Sequence, residues 1–326
     1  MNGFRATIAG ALAALGLACA ADAALAQAYP TKPVRIVVAF APGGRTDALA
    51  RLMAQGLQER LGQPFVVENR GGASGSLGTD VVAKAPADGY TLLLATTGPQ
   101  AVLPITGKKL PYDPDKDLTP IALIAESYSF FGINPAVPAK TLAEFIALAK
   151  AKPGELNFAS SGVGTFNHFA GEFFNVAAGT KITHVPYRGG APSVTDLVAG
   201  NVQMMIGGEF IENARAGQVR ILASTNPTRW SEMPDVPTMA EAGLPAFKAP
   251  PIWFGLMGPG GMPRPLVEQI NRESVKAFTD PKMTPKLVAL GSVARDETPE
   301  YFAAQIRNEQ KLFTEVAKAA DMKFED

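Results

Sequence analysis

The sequence is poor in the residues that most often carry covalent and metal chemistry. In 326 residues it has one cysteine, Cys19, and two histidines, His168 and His184. Cys19 lies in the N-terminal apolar segment, so the remainder of the chain has no disulfide, no thiolate nucleophile and no cysteine metal site. The patterns H-E-x-x-H, G-x-S-x-G, Walker A and G-x-G-x-x-G are missing. Gly162-Val-Gly164-Thr-Phe-Asn167 has the first two glycines of the dinucleotide fingerprint and lacks the third. Formal net charge is zero, and no segment basic enough for nucleic acid stands out. Past the N-terminus no apolar run is long enough to cross a bilayer. No metal and no cofactor is expected.

What is present begins with a leader. Arg5 is followed by Ala6–Ala20 without a charged residue, a stretch shorter than the roughly 20 residues a spanning helix needs. Ala24-Leu25-Ala26 then supplies an A-x-A cleavage pattern. Residues 1–28 therefore read as a signal peptide and place the mature chain in the periplasm. A lipoprotein signal wants Leu three residues before the cysteine, and that position is Gly16.

The mature chain alternates strand and helix, the pattern of an α/β fold with a parallel sheet covered on both faces. Val34–Phe40 is rich in β-branched residues and reads as a buried strand. Pro42-Gly43-Gly44 interrupts it, and Thr46–Leu61 has helical spacing. Phe65–Glu68 and Tyr90–Ala95 are further strands, separated by the glycine-rich turn 71–78 and a short helix over 79–85. Ile121–Asn134 is apolar and extended, suited to cross between lobes. The order strand, glycine loop, helix recurs at Leu156–Ala159, Ser160–Thr165 and Phe166–Ala178. Thr141/Glu144 and Ser193/Asp196 read as capping boxes; Thr298 with Pro299 reads as the start of the last helix. The repeat suggests two lobes of similar plan: 29–129 with 252–326, and 130–251.

The two glycine loops carry the chemistry. In each a strand ends, glycines let the backbone approach closely, and a helix start offers unpaired N–H donors with about half a positive charge. Such a site holds a carboxylate or phosphate without Lys or Arg. Any α/β protein has such turns, so it is the pair, flanked by Ser, Thr and Arg, that points to a ligand. Arg45 is either a bidentate carboxylate ligand or a solvated loop residue; Asp47 reads as a cap or dipole partner. Tyr187-Arg188-Gly-Gly190 precedes a third helix start that could face the same cleft. His168 reads as a helix-face histidine or, with Glu172 one turn on, as the base of an enzyme.

Several segments, in this order and spacing, resemble the Bug family, the extracytoplasmic receptors of tripartite tricarboxylate transporters. They are Tyr29-Pro-Thr-Lys-Pro-Val-Arg-Ile-Val-Val, Ala41-Pro-Gly-Gly-Arg-Thr-Asp47, Gly62-Gln-Pro-Phe-Val-Val-Glu-Asn-Arg70, Asp88-Gly-Tyr-Thr-Leu92, Leu110-Pro-Tyr-Asp113, His184-Val-Pro-Tyr-Arg188, Asp235-Val-Pro-Thr238 and Trp253-Phe-Gly255. The likeness spans almost the whole mature chain. It implies a type II periplasmic-binding fold, two α/β lobes with a strand hinge. It also implies as ligand a small organic acid, such as a carboxylate, an amino acid or a related small acid, with an aliphatic or aromatic carboxylate or dicarboxylate expected here, and the membrane subunits of such a transporter as partners, with the receptor acting as a monomer and not as an enzyme. A periplasmic enzyme acting on a small acid, and a ligand sensor for a signalling partner, are the alternatives.

Carried over residue by residue, the resemblance assigns ligand contacts to Gly43, Gly44 and Thr46, then Ser160, Ser161, Gly164 and Thr165, with Thr97 and Gly98 after the third strand. Phe40, Arg45, His168, Tyr187, Arg188 and Glu209 complete the candidate set. Two departures stand out. Arg45 replaces an often small residue and would add a positive group for a second carboxylate. The segment after Met205, Ile-Gly-Gly-Glu-Phe210, is shorter than the Asp-Asn-containing segment of many relatives, so Glu209 either substitutes for that acid or points elsewhere.

Overall fold

A computed structural model describes residues 29–107, 109–187, 189–322 and 324. The leader with Cys19, and Arg188, lie outside these. The described residues form two sheets. The first has β1 (Val34–Val38), β2 (Phe65–Asn69) and β3 (Thr91–Thr96) in parallel, with β10 (Ile252–Pro259), β4 (Leu118–Ser127) and β11 (Ser292–Ala294) antiparallel beyond β3. The second runs β7 (Thr183–Pro186), β6 (Asn157–Ser160), β8 (Met204–Gly207), β5 (Phe130–Ile133), β9 (Arg220–Ser224).

Strand β1 is apolar except at Arg35, which pairs with Glu68, because both of its faces are covered. Side chains alternate between faces with a period of two. Val34, Ile36 and Val38 meet Leu49, Met53 and Leu57 of helix α1 (Arg45–Leu61). Val37 and Ala39 meet Val82 of helix α2 (Ser76–Ala83), Trp253 and Phe302. The second sheet is covered by α3 (Leu142–Ala151), α4 (Phe166–Ala178) and α5 (Gly190–Ala199), with α6 (Ile211–Arg215) after β8. Helices α7 (Arg264–Phe278), α8 (Thr284–Ala289) and α9 (Pro299–Ala319) complete the chain.

The extended stretch Ile121–Asn134 is two strands in two sheets, so the chain changes lobe at Tyr128-Ser129. It returns before β10. The two passages are tied together: Ser129 donates its N–H to Asn226 Oδ1 at 3.0 Å and accepts from the N–H and hydroxyl of Thr225. Helix α9 belongs to both lobes. Its first half places Phe302 and Ile306 beside Trp253, and its second half places Phe313 and Val316 in the core of the second sheet with Phe169. One long amphipathic helix thus presents different turns to different cores.

Local signals are read with uneven success. Thr141 and Thr298 cap as expected, each accepting at 3.2 Å from the N–H three residues on. Ser193 does not begin a helix. It lies inside α5, which starts at Gly190, and its hydroxyl donates back to Gly190 O at 2.6 Å; a short polar side chain in a first turn satisfies a carbonyl as readily as it caps. The helix expected over 79–85 starts at Ser76.

Candidate functional site

Between the lobes lies a cleft of about 1350 Å³. Three helix starts reach it, and none is closed by a side-chain cap: Gly44 precedes α1 from the first lobe, Thr165 precedes α4 and Gly189 precedes α5 from the second. Helix starts without caps leave N–H donors unpaired. Gly43, Gly162, Gly164 and Gly189 have φ between 76° and 134°, a region closed to most residues with a Cβ.

The first loop is built on Asp47. Its buried carboxylate accepts from Gly43 N–H, from Asn69 Nδ2 and, bidentately, from Arg51, all at 3.0 Å. Asn69 also donates to Phe40 O at 3.1 Å. Burial pushes the Asp47 carboxyl up, but these hydrogen bonds outweigh it and hold it below the usual carboxylate range.

The second loop rests on two imidazoles. Gly164 N–H donates to His168 Nδ1 at 3.2 Å, so the His168 proton sits on Nε2. His168 stacks on His184 with centroids 3.8 Å apart, and His184 Nε2 lies 2.6 Å from Ser160 Oγ. Burial pulls His168 down to about 4; burial and the neighbouring His168 pull His184 down to about 3. Both are neutral near pH 7 and fit an acceptor role. His168 and Ser160 therefore stand behind the cleft wall, holding the loop, and neither lines the cavity. Glu172 bonds to Asn175 Nδ2 at 3.1 Å and does not orient His168 as a catalytic partner would.

A pH prediction follows. Imidazoles that stay neutral in the folded chain and protonate near 6.5 when unfolded stabilise the fold fully above about pH 6.5. That stability is lost as pH falls through the window toward 4. Unfolding titrations should show the loss, and a His168→Phe/His184→Phe protein should lack it.

The structure brings Phe40, Gly43, Gly44, Arg45, Thr46, Thr97, Gly98, Ser161, Gly164, Thr165, Tyr187 and Glu209 to the cleft wall. Arg45 is not the unengaged cation expected from its position. Its Nη2 donates across the cleft to Gly208 O at 3.1 Å; burial lowers its pKa and Glu209 opposes that. Tyr187 donates its hydroxyl to Asp196 at 2.6 Å, and burial together with Asp196 pushes it up to about 12.

Sequence reasoning did not select Asn167, Trp230, Phe254 or Leu290, which also line the cleft. Asn167 adjoins the second loop and was within reach of the same signal. The others come from distant segments with no local mark.

The comparisons with known proteins agree with this geometry. The family model for the tripartite tricarboxylate transporter family receptor matches residues 49–314. The chain belongs to that receptor family. Protein BugT of Bordetella pertussis is 37% identical, over 91% of this chain and 92% of BugT. The structure of R. palustris Rpa4515 with adipate is 35% identical with a TM-score of 0.83, covering 90% of this chain and 99% of Rpa4515. The periplasmic binding protein BugD is 31% identical with a TM-score of 0.79, covering 90% of this chain and 99% of BugD. The tripartite tricarboxylate receptor fold, two α/β lobes about a cleft, is thus the fold of this chain, as its sequence patterns led one to expect.

Proposed function

We propose that this receptor captures a small organic acid in the periplasm by closing its lobes, and delivers it unchanged to the membrane subunits of a tripartite tricarboxylate-type transporter. The observation that carries this reading is the convergence of uncapped helix starts from both lobes on one cleft. A carboxylate there gains hydrogen bonds and favourable dipoles without a dedicated cation. Its seats are Gly43, Gly44 and Thr46 on one lobe, and Ser161, Gly164 and Thr165 on the other, with Thr97 and Gly98 beside the hinge.

Binding has to favour the closed form for the ligand to drive closure. The hinge at Tyr128-Ser129 and 225–251 supplies the strand connections about which lobes 29–129/252–326 and 130–251 rotate, while α9 moves with one and slides on the other. The receptor works as a monomer and needs no cofactor.

The test is a thermal-shift screen of small acids on the mature protein, followed by native mass spectrometry. An acid at about 100 times its Kd stabilises by roughly 2.7 kcal/mol. A stoichiometric acid recovered unchanged supports the receptor; a consumed one replaces it with an enzyme, and a panel without hits removes the acid assignment.

A further inference from the structure

Arg45 and the segment 206–210 are far apart in sequence and meet in the cleft. Arg45 opens α1 in the first lobe, and its Nη2 donates at 3.1 Å to the carbonyl of Gly208, just past β8 in the second. Gly208 is held at its other polar atom too, since its N–H donates to Glu209 Oε2 at 2.9 Å. Glu209 is in turn tied to α4, where Asn167 Nδ2 lies 3.3 Å from both carboxylate oxygens.

Two glycines make room for this arrangement. A Cβ on Gly208 would sit 2.6 Å from Arg45 Nη2 and 2.9 Å from Nη1, so the guanidinium lies directly on the backbone. A Cβ on Gly207 would strike Glu209 Oε2 and Asn167 Nδ2. The charge is answered as well: burial lowers the Arg45 pKa, and the Glu209 carboxylate opposes that. A guanidinium on a peptide carbonyl is a charge-assisted hydrogen bond, stronger than a neutral one.

Apolar packing continues the same contact. The turn between α8 and β11, in the first lobe, reaches the start of α6 in the second: a Cβ on Gly291 would lie 3.2 Å from Ile211 Cδ1 and 3.8 Å from Arg45 Nη2. Val288 and Val293 of the first lobe pack against the second-lobe cluster of Phe130, Ile211 and Trp230. Separating the lobes parts α1 from the end of β8, which breaks the Arg45 bond and wets this seam.

We infer that Arg45 is a clasp between the lobes and not a ligand contact: it holds the empty receptor mainly in its closed form. The ligand then has to supply only the part of the closure free energy that the clasp leaves. The inference extends the lobe-closing reading above and is measurable without any ligand.

The test is double electron–electron resonance on the mature protein, with one spin label on each lobe at an introduced cysteine; the chain past Cys19 has none of its own. Native mass spectrometry first establishes that the protein is empty. The empty wild type should show mainly the short distance between labels calculated from the closed structure. Arg45→Ala should lower the closed-to-open ratio by about tenfold or more. Arg45→Met keeps most of the side chain's length and removes its donors, and should do the same. An empty wild type at a longer distance overturns the inference, and so does an Arg45→Met protein that stays closed. Arg45→Ala should also weaken every acid found by the screen by a similar factor, because closure is common to them; a loss at least about fivefold greater for one acid than for the rest places Arg45 on the ligand and overturns the clasp. If no acid binds, the acid-capturing reading falls, and the distances in the empty protein still decide the clasp.

Discussion

Replacing Trp253 with alanine should lower the unfolding free energy by about 3–5 kcal/mol, read as a shifted urea midpoint. Trp253 is fully buried at the point where the chain re-enters the first lobe. Its ring meets Phe302 edge-on with centroids 4.9 Å apart, its N–H donates to Thr97 Oγ1 at 3.1 Å, and Nε1 donates to Glu309 Oε2 at 2.7 Å. Alanine leaves a cavity and removes a donor from a buried acid.

That acid gives a pH signature separable from the cavity. Burial pushes Glu309 up to about 8, against the hydrogen bonds from Gln305 and Trp253. A carboxyl whose folded value is raised contributes stability that is fully present below its unfolded value near 4.3 and is lost as pH rises toward the folded one. Glu309→Gln retains the acceptor for Trp253 and cannot ionise. Its stability relative to wild type should therefore improve between about pH 5 and 8, with a slope approaching about 1.4 kcal/mol per pH unit. Parallel curves for the two proteins would show that Glu309 is ionised in the fold. Glu126 is raised in the same direction, chiefly by burial, so some wild-type slope should persist in the variant.

The second large effect is expected at Asp47. Alanine there removes the acceptor for Gly43 N–H, Asn69 and Arg51 together. Hydrogen bonds to a charged group contribute about 1.5–3 kcal/mol each, so a loss of roughly 2–3 kcal/mol is expected after relaxation. The first glycine loop would also lose its tie to β2, and affinity for any acid that the wild type binds should fall by about tenfold or more. Arg51→Ala is the control. Its side chain is 57% exposed, and a solvent-screened pair there should contribute little to stability. Similar losses in the two variants would mean that the ion pair, and not the tether to Gly43 and Asn69, holds the loop.

The features legible in the sequence are those written within a few residues. A β-branched run marks β1, because a strand covered on both faces is filled mostly by apolar side chains, Arg35 apart. Glycine loops mark the helix starts, because positive φ and close backbone approach exclude other residues. Thr141 and Thr298-Pro299 mark helix starts, because a cap acts over one turn. From these the α/β class and the loops of the cleft follow without coordinates, and with them the expectation of an anionic ligand.

Tertiary structure alone decided which residues are spent and which are open. Arg45 looks unengaged in sequence; it is held by Gly208, 163 positions away, because the fold sets the first turn of α1 against the end of β8. His168 reads in sequence as a helix-face histidine, a ligand contact or a base; in the fold it is a helix-face acceptor beneath the loop, stacked on His184. Trp230, Phe254 and Leu290 enter the cleft through the strand order and the way the two sheets are set against each other. The last helix serves two cores for the same reason. Hydrogen bonds within a turn depend on neighbours along the chain, whereas the partner of a side chain in a cleft between lobes depends on how two sheets are set against each other.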